Sequence, residues 1–178
     1  MFSEQGLSEK EARGGLVDRL KQFWERGADQ RDINREINIW GDSGQLKNKK
    51  ELRRNYQYHL VKMGLLTFIT PFEGNQHLGE IKRLSEEMNR EIFEEKARPG
   101  AVSILLIPGA KFLPPGYNGF TAIYGQRCMV NMDGHGRWIT IAHEFAHVWL
   151  AQRYGACVSP VASEGAAVFF TRSKFRQG

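Results

Sequence analysis

Only two residues of the 178 are cysteine, Cys128 and Cys157. That is too few for the disulfide framework that holds small secreted domains together. No apolar run approaches the roughly 18 residues that a membrane-spanning helix requires. The start, Met1-Phe2-Ser3-Glu4-Gln5, has neither the basic n-region nor the apolar h-region of a secretory signal. The expectation is an intracellular, cytoplasmic protein, or one exported as an effector without such a signal. There is no internal repeat and no low-complexity tract, which sets aside solenoids and biased linkers.

What is present is an ordinary globular mixture, 41% hydrophobic and 11% aromatic, long enough for one domain with a small appendage. The net charge of +5 is unevenly placed. Between Lys47 and Lys62 stand six basic residues and one acid, Glu51, and the end carries Arg172, Lys174 and Arg176. Such patches bind nucleic acid or acidic partners, or simply form a solvated helix face and a charged tail.

Ser8-Glu9-Lys10-Glu11 fits a capping box. A helix is expected after it, with Leu16, Leu20, Phe23 and Trp24 on one side and Gly27 at its end. A second helix is predicted from Asp29 to Trp40 by the spacing of Ile33, Ile37 and Trp40. A third is predicted from Lys49 to Met63 by Leu52, Tyr56, Leu60 and Met63. Leu65 to Thr70 reads as a short strand. Three helices with a basic third one, then a strand, are compatible with a winged-helix module in which Arg53, Arg54 and Lys62 face phosphates. Many helical bundles share that pattern.

His77 to Lys96 reads as a charged helix with Leu78, Ile81, Leu84, Met88 and Ile92 as its apolar stripe. Ala101 to Ile107 is a continuous apolar run of strand length, the mark of a central strand. Pro108 to Gly119 is a Gly/Pro-rich loop. Phe120 to Tyr124 and Arg127 to Asn131 read as two short strands joined at Gly125-Gln126.

The chemistry concentrates in Thr140-Ile141-Ala142-His143-Glu144-Phe145-Ala146-His147-Val148-Trp149-Leu150. Residues four apart share one face of a helix, so His143 and His147 can point at one metal ion with Glu144 beside them. Two imidazole ligands and a carboxylate base are the zinc-peptidase arrangement. The helix is apolar nearly all round and is expected at the domain centre. Its three polar members then need partners, and one metal serves both histidines at once. The alternative is two core histidines satisfied by backbone carbonyls. Gly155 ends this helix, and Ser159-Pro160 starts another, with Ser at the N-cap and Pro at N1. Glu164 sits one turn into it, on the side of Val161 and Val168. It is either a third ligand or a first-turn carboxylate favoured by the helix dipole. Gly165, Ala166 and Ala167 are expected to let the two helices approach closely.

Three protein ligands leave one zinc position for water, the mark of a catalytic site. Glu144 would take a proton from that water and deliver it to the leaving amine. An oxyanion donor is also expected. Tyr117, Tyr124 and Tyr154 are the candidates.

HEFAH followed by SEGAA resembles the gluzincin metallopeptidases, in which His-Glu-x-x-His is followed by Glu on a second helix. The resemblance implies one zinc ion at His143, His147 and Glu164, with Glu144 as base. It also implies a small sheet whose edge strand lies beside the cleft and pairs with an extended substrate. That strand is Phe120 to Tyr124 or Arg127 to Asn131, the second being preferred as nearer the helix. Arg127, Cys128, Met129, Val130 and Asn131, with Tyr124, are therefore the expected substrate-binding residues. A closer likeness runs from about Ile104 to Phe170. Ala122-Ile123-Tyr124-Gly125, HEFAHVWL and Pro160 to Phe170 resemble the C-terminal peptidase domain of the plant LIM-domain peptidases that control organ size. The Cys-rich LIM modules of that family, and hence its ubiquitin-linked role, have no counterpart here.

The expected fold class is thus α+β and zincin-like, a minimal gluzincin. It would have a small sheet, an HExxH helix and a Glu-bearing helix, preceded by an N-terminal helical region. The expected division is a helical region over residues 1–70 and a metallopeptidase core over 77–178. Only 14 residues follow Glu164, so the N-terminal helices are expected to wall or cover the cleft, unless the site is shallow and open. The expected activity is zinc-dependent hydrolysis of a protein or peptide substrate. Two alternatives stand beside it: a DNA-binding regulator whose zincin domain acts on a repressor, and a non-catalytic metal-binding interaction protein.

Overall fold

A computed structural model describes residues 30–72, 75–93, 100–133, 136–155 and 158–176. Among them are five α-helices, a short 3-10 turn and one mixed five-stranded sheet, an α+β arrangement. In chain order the elements are α1 (Gln30–Asp42), α2 (Lys49–Asn55), β1 (His59–Met63), β2 (Leu66–Thr70), α3 (Asn75–Glu91), β3 (Val102–Ile107), β4 (Gly119–Ala122), β5 (Arg127–Asn131), α4 (Arg137–Tyr154) and α5 (Pro160–Phe175). The helix expected over residues 8–27 lies outside the described residues, as does Cys157. No helix among the described residues is long and apolar enough to cross a membrane.

The sheet order is β1-β2-β3-β5-β4. β2, β3 and β5 run parallel, while β1 and β4 are antiparallel to their neighbours at the two edges. Strand side chains alternate between faces, and each face has its own core. On one, Ile69, Leu105, Ile107 and Met129 meet Ile33, Ile37 and Trp40 of α1 and Leu52 of α2. On the other, Phe68, Ile104, Leu106, Cys128 and Val130 meet Leu78, Ile81 and Met88 of α3 and Ile141, Phe145 and Val148 of α4. Strands buried on both faces read as unbroken apolar runs, which is why Ile104-Leu105-Leu106-Ile107 carries no polar alternation.

Two sequence expectations are corrected here. The third helix ends at Asn55, not Met63. His59 to Met63 instead pairs antiparallel with β2, Leu60 opposite Ile69 and Val61 opposite Phe68. Cross-strand pairing, which is non-local, overrides the helical spacing of Leu52, Tyr56, Leu60 and Met63. As a result the boundary expected near residue 70 does not separate a helical unit from the sheet. β1 and β2 belong to the same sheet as β3 to β5, and α1 and α2 complete its second core. Arg53, expected to face phosphates, donates to the carbonyl oxygen of Asn34 at 3.3 Å and to Asn38 Oδ1 at 2.5 Å.

The HEFAH helix is as buried as its composition implies. Ile141, Ala142, Phe145, Ala146, Val148, Trp149 and Leu150 are all buried. Phe93 stacks on Trp149 with ring centroids 3.7 Å apart. α5 begins as expected, the Ser159 hydroxyl accepting from the Ala162 N–H at 3.2 Å with Pro160 at N1. Its close approach to α4 is made by Ala167, which is fully buried. Gly165 is not part of that approach, since a side chain there would meet open space. Lys174 fastens the far end of α5 to α3, donating to Glu87 and Glu91 at 2.9 Å each.

Candidate metal centre

α4 and α5 bring three side chains to one point. The Nε2 atoms of His143 and His147 are 3.1 Å apart. Each lies 3.0 Å from a different oxygen of the Glu164 carboxylate. Helical periodicity aligns the two histidines on α4, and the Ser159-Pro160 start fixes the turn of α5 from which Glu164 reaches back. Tetrahedral zinc ligands with bonds of about 2.0–2.1 Å lie about 3.3 Å from one another. The observed separations and the two-imidazole, one-carboxylate donor set fit that geometry.

The surroundings of His147 suit an imidazole that could bind a metal. Burial first, and then the neighbouring His143, lower the pKa of His147 below its ordinary value, favouring the neutral form that binds metals. His147 Nδ1 is 2.7 Å from the Ser163 hydroxyl. That contact fixes the ring and leaves Nε2 for the ligand point, an outer contact of the kind metal-bound imidazoles use. Glu164 is more open, its side chain 61% exposed.

Glu144 is different. It is 5% exposed, and among the described residues no cation pairs with it. Thr121 Oγ1 on β4 donates to Glu144 Oε2 at 2.6 Å. Burial pushes its pKa up to about 7, the Thr121 hydrogen bond opposes that rise, and the nearby Glu164 adds to it. A carboxyl poised there suits a group that takes and returns protons at neutral pH. A dication at the three-ligand point would pull the value down.

All four side chains line a cavity of about 790 Å³. Its other wall is β4 and the turn after it, from Gly116 to Gly125, with Ile139, Ala151 and Pro160 contributed by the helices. No described residue before Gly116 lines it. α1 and α2 therefore do not wall this cleft as expected, because they pack on the opposite face of the sheet. Of the tyrosines proposed as oxyanion donors, Tyr117 and Tyr124 line the cavity, whereas exposed Tyr154 at the end of α4 does not.

The preferred substrate strand is also corrected. β5 pairs with β3 on one side and β4 on the other, so it has no free edge. Cys128, Met129, Val130 and Asn131 are buried, and burial pushes the Cys128 thiol pKa well up. Arg127 is committed to Glu36 of α1, donating through Nε at 2.8 Å and Nη2 at 3.0 Å. Of the two strands considered, β4 is the one at an edge of the sheet, with no strand on its outer side among the described residues. Only Tyr124 of the expected substrate residues reaches the cavity, from a turn in which Ile123, Tyr124 and Gly125 all have positive φ.

Three further residues belong to the site without any motif marking them in the sequence: Gly119, Thr121 and Ser163. The alternation Gly119-Phe120-Thr121-Ala122 is the signal for the first two. It places the small and hydroxyl residues on one face of the strand and the apolar pair on the other. Ser163 is signalled only by standing next to Glu164. Compared with known proteins, the chain matches no protein-family model, no curated protein and no solved structure, so its own residues carry the functional reading.

Proposed function

We propose that this protein is a zinc-dependent metallopeptidase of minimal zincin-like, gluzincin-type build. The observation that carries this reading is the meeting of His143, His147 and Glu164 at 3.0–3.1 Å beside a buried carboxylate, Glu144, in a cavity walled by a free strand edge.

His143, His147 and Glu164 would hold one zinc ion, which when bound supplies a Lewis acid and an acidified water. An extended peptide pairs with the outer edge of β4 through backbone hydrogen bonds, which orients it without requiring a particular side chain. Glu144 accepts the proton of the attacking water at its carboxylate and passes it to the amine that leaves. Glu144 is buried against β4 yet opens onto the cavity that would receive the peptide. The anchoring of α4 in the sheet's core keeps both histidines and the base in fixed register.

The test is a zinc titration combined with cleavage of fluorescein-labelled casein, an unstructured protein substrate. The expected result is one zinc per chain and zinc-dependent cleavage, with both lost in His143→Ala, His147→Ala and Glu164→Ala. Zinc bound without cleavage would leave a metal-binding protein that is not a peptidase. Zinc stoichiometry unchanged in all three variants would remove the metal centre.

A further inference from the structure

The structure assigns Thr121 and Gly119, on the edge strand β4, as the positioning device for the Glu144 carboxylate. This rests on the peptidase reading above and deepens it, since it names what holds the base in place.

Three independent observations converge. First, the two residues are placed by strand alternation. Phe120 and Ala122 pack into the core beneath α1 and α2, so Gly119 and Thr121 face α4. Second, Thr121 Oγ1 donates to Glu144 Oε2 at 2.6 Å and lies 3.3 Å from the Glu144 carbonyl oxygen. The hydroxyl thus ties one carboxylate oxygen to the strand and sits against the helix turn that carries it. Third, Gly119 leaves room for the rest of the carboxylate. A Cβ at Gly119 would fall 2.8 Å from Glu144 Oε1, 2.8 Å from Cγ and 3.0 Å from Cδ. That is closer than real Cβ contacts allow, so any side chain there displaces the base. One face of β4 therefore meets Glu144 twice, with a directed hydrogen bond at Thr121 and bare backbone at Gly119.

The location matters. The strand that holds Glu144 is the one whose outer edge is free to receive an extended chain, so the bond to be cut and the base are registered by one rigid element. Misplacement of a catalytic group by about 1 Å costs on the order of a hundredfold in rate.

The experiment is a double-mutant cycle on the full zinc-loaded chain, with a peptide spanning a bond that the protein cuts in casein. Thr121→Val removes the hydroxyl at constant shape. It is expected to lower kcat about tenfold or more, with zinc affinity and KM near wild type. Thr121→Ser restores kcat. Gly119→Ala lowers kcat at least as far while zinc is retained. In a Glu144→Gln background, Thr121→Val lowers kcat no further, because its effect runs through the base. Wild-type kcat in Thr121→Val, or an equal loss in the Glu144→Gln background, would overturn this assignment while leaving the peptidase reading intact. A zinc-loaded wild type that cuts nothing would overturn both.

Discussion

Two carboxylates in this molecule are equally buried and treated in opposite ways. Glu36, on the face of the sheet covered by α1 and α2, is 5% exposed and accepts from Nε and Nη2 of the Arg127 guanidinium, one bond to each carboxylate oxygen. Glu144, on the face covered by α3, α4 and α5, is also 5% exposed and, among the described residues, has only the Thr121 hydroxyl as a hydrogen-bond partner. A paired buried carboxylate is a fastener: its charge is compensated and its oxygens are occupied. A buried carboxylate beside a hydroxyl and an open cavity is free to exchange a proton. One face of the sheet closes over its carboxylate, and the other leaves its carboxylate open to a cavity.

The bluntest way to break this comparison is to remove the closed face. Deleting Met1 to Thr70 takes away α1, α2, β1 and β2 along with Glu36. That strips one whole core and leaves Arg127 unpaired. The truncated chain is expected to show no cooperative thermal transition by circular dichroism. A sharp melt with retained cleavage would mean that the second face stands alone.

Next in size is the fastener itself. Arg127→Ala leaves a buried carboxylate without its partner, which costs about 3–5 kcal/mol. Urea unfolding should register that loss, whereas a double replacement by methionine, Glu36→Met with Arg127→Met, should come back close to wild type. Casein cleavage by the double variant is expected at the wild-type rate. A drop would restore Arg127 to the substrate site from which its pairing removes it.

The same measurement on the other face has the opposite sign. Glu144 has a folded-state pKa of about 7 against an ordinary 4.5. The folded protein therefore holds a proton that the unfolded chain releases across that interval. The stability from this proton is complete below the unfolded value and is lost as pH rises toward the folded one. With metal chelated, wild type should lose stability relative to Glu144→Gln as pH rises from about 4.5 to 7. A difference that stays constant with pH would show that Glu144 is compensated like Glu36.

The smallest expected effect concerns the ring that Ser163 steadies. Ser163→Ala should weaken zinc binding about tenfold in competition with a chelator, the lower end of what outer contacts to metal-bound histidines contribute. Ser163→Thr should bind as wild type does. Unchanged affinity in the alanine variant would reduce the 2.7 Å contact to packing.

Much of this architecture is legible in the sequence. The apolar spacing of Ile33, Ile37 and Trp40, and that of Leu78, Ile81, Leu84 and Met88, marked two helices whose stripes are buried. Ser159-Pro160 marked the start of α5, and the HEFAH spacing together with Glu164 named three side chains that do converge. These signals are local: a turn of helix, a cap, a four-residue repeat. What escaped was set by partners far along the chain. Residues 59–63 look helical by spacing and become a strand because β2 offers them a pairing edge. Nothing within Arg127 to Asn131 says whether it lies inside the sheet or at its rim. That was decided by the parallel pairing with β3, which left β4 outside. Thr121 was invisible as a site residue for the same reason, since its partner lies on a helix reached only through the fold.

The central claim is that Glu144 is the working carboxylate of a metal centre. Glu144→Gln with zinc loaded tests it most directly, reading zinc stoichiometry and casein cleavage on the same sample. The account predicts one zinc per chain as in wild type, with cleavage down by a factor of about 10²–10⁴, the range that a general base contributes. Cleavage by Glu144→Gln at the wild-type rate would contradict it.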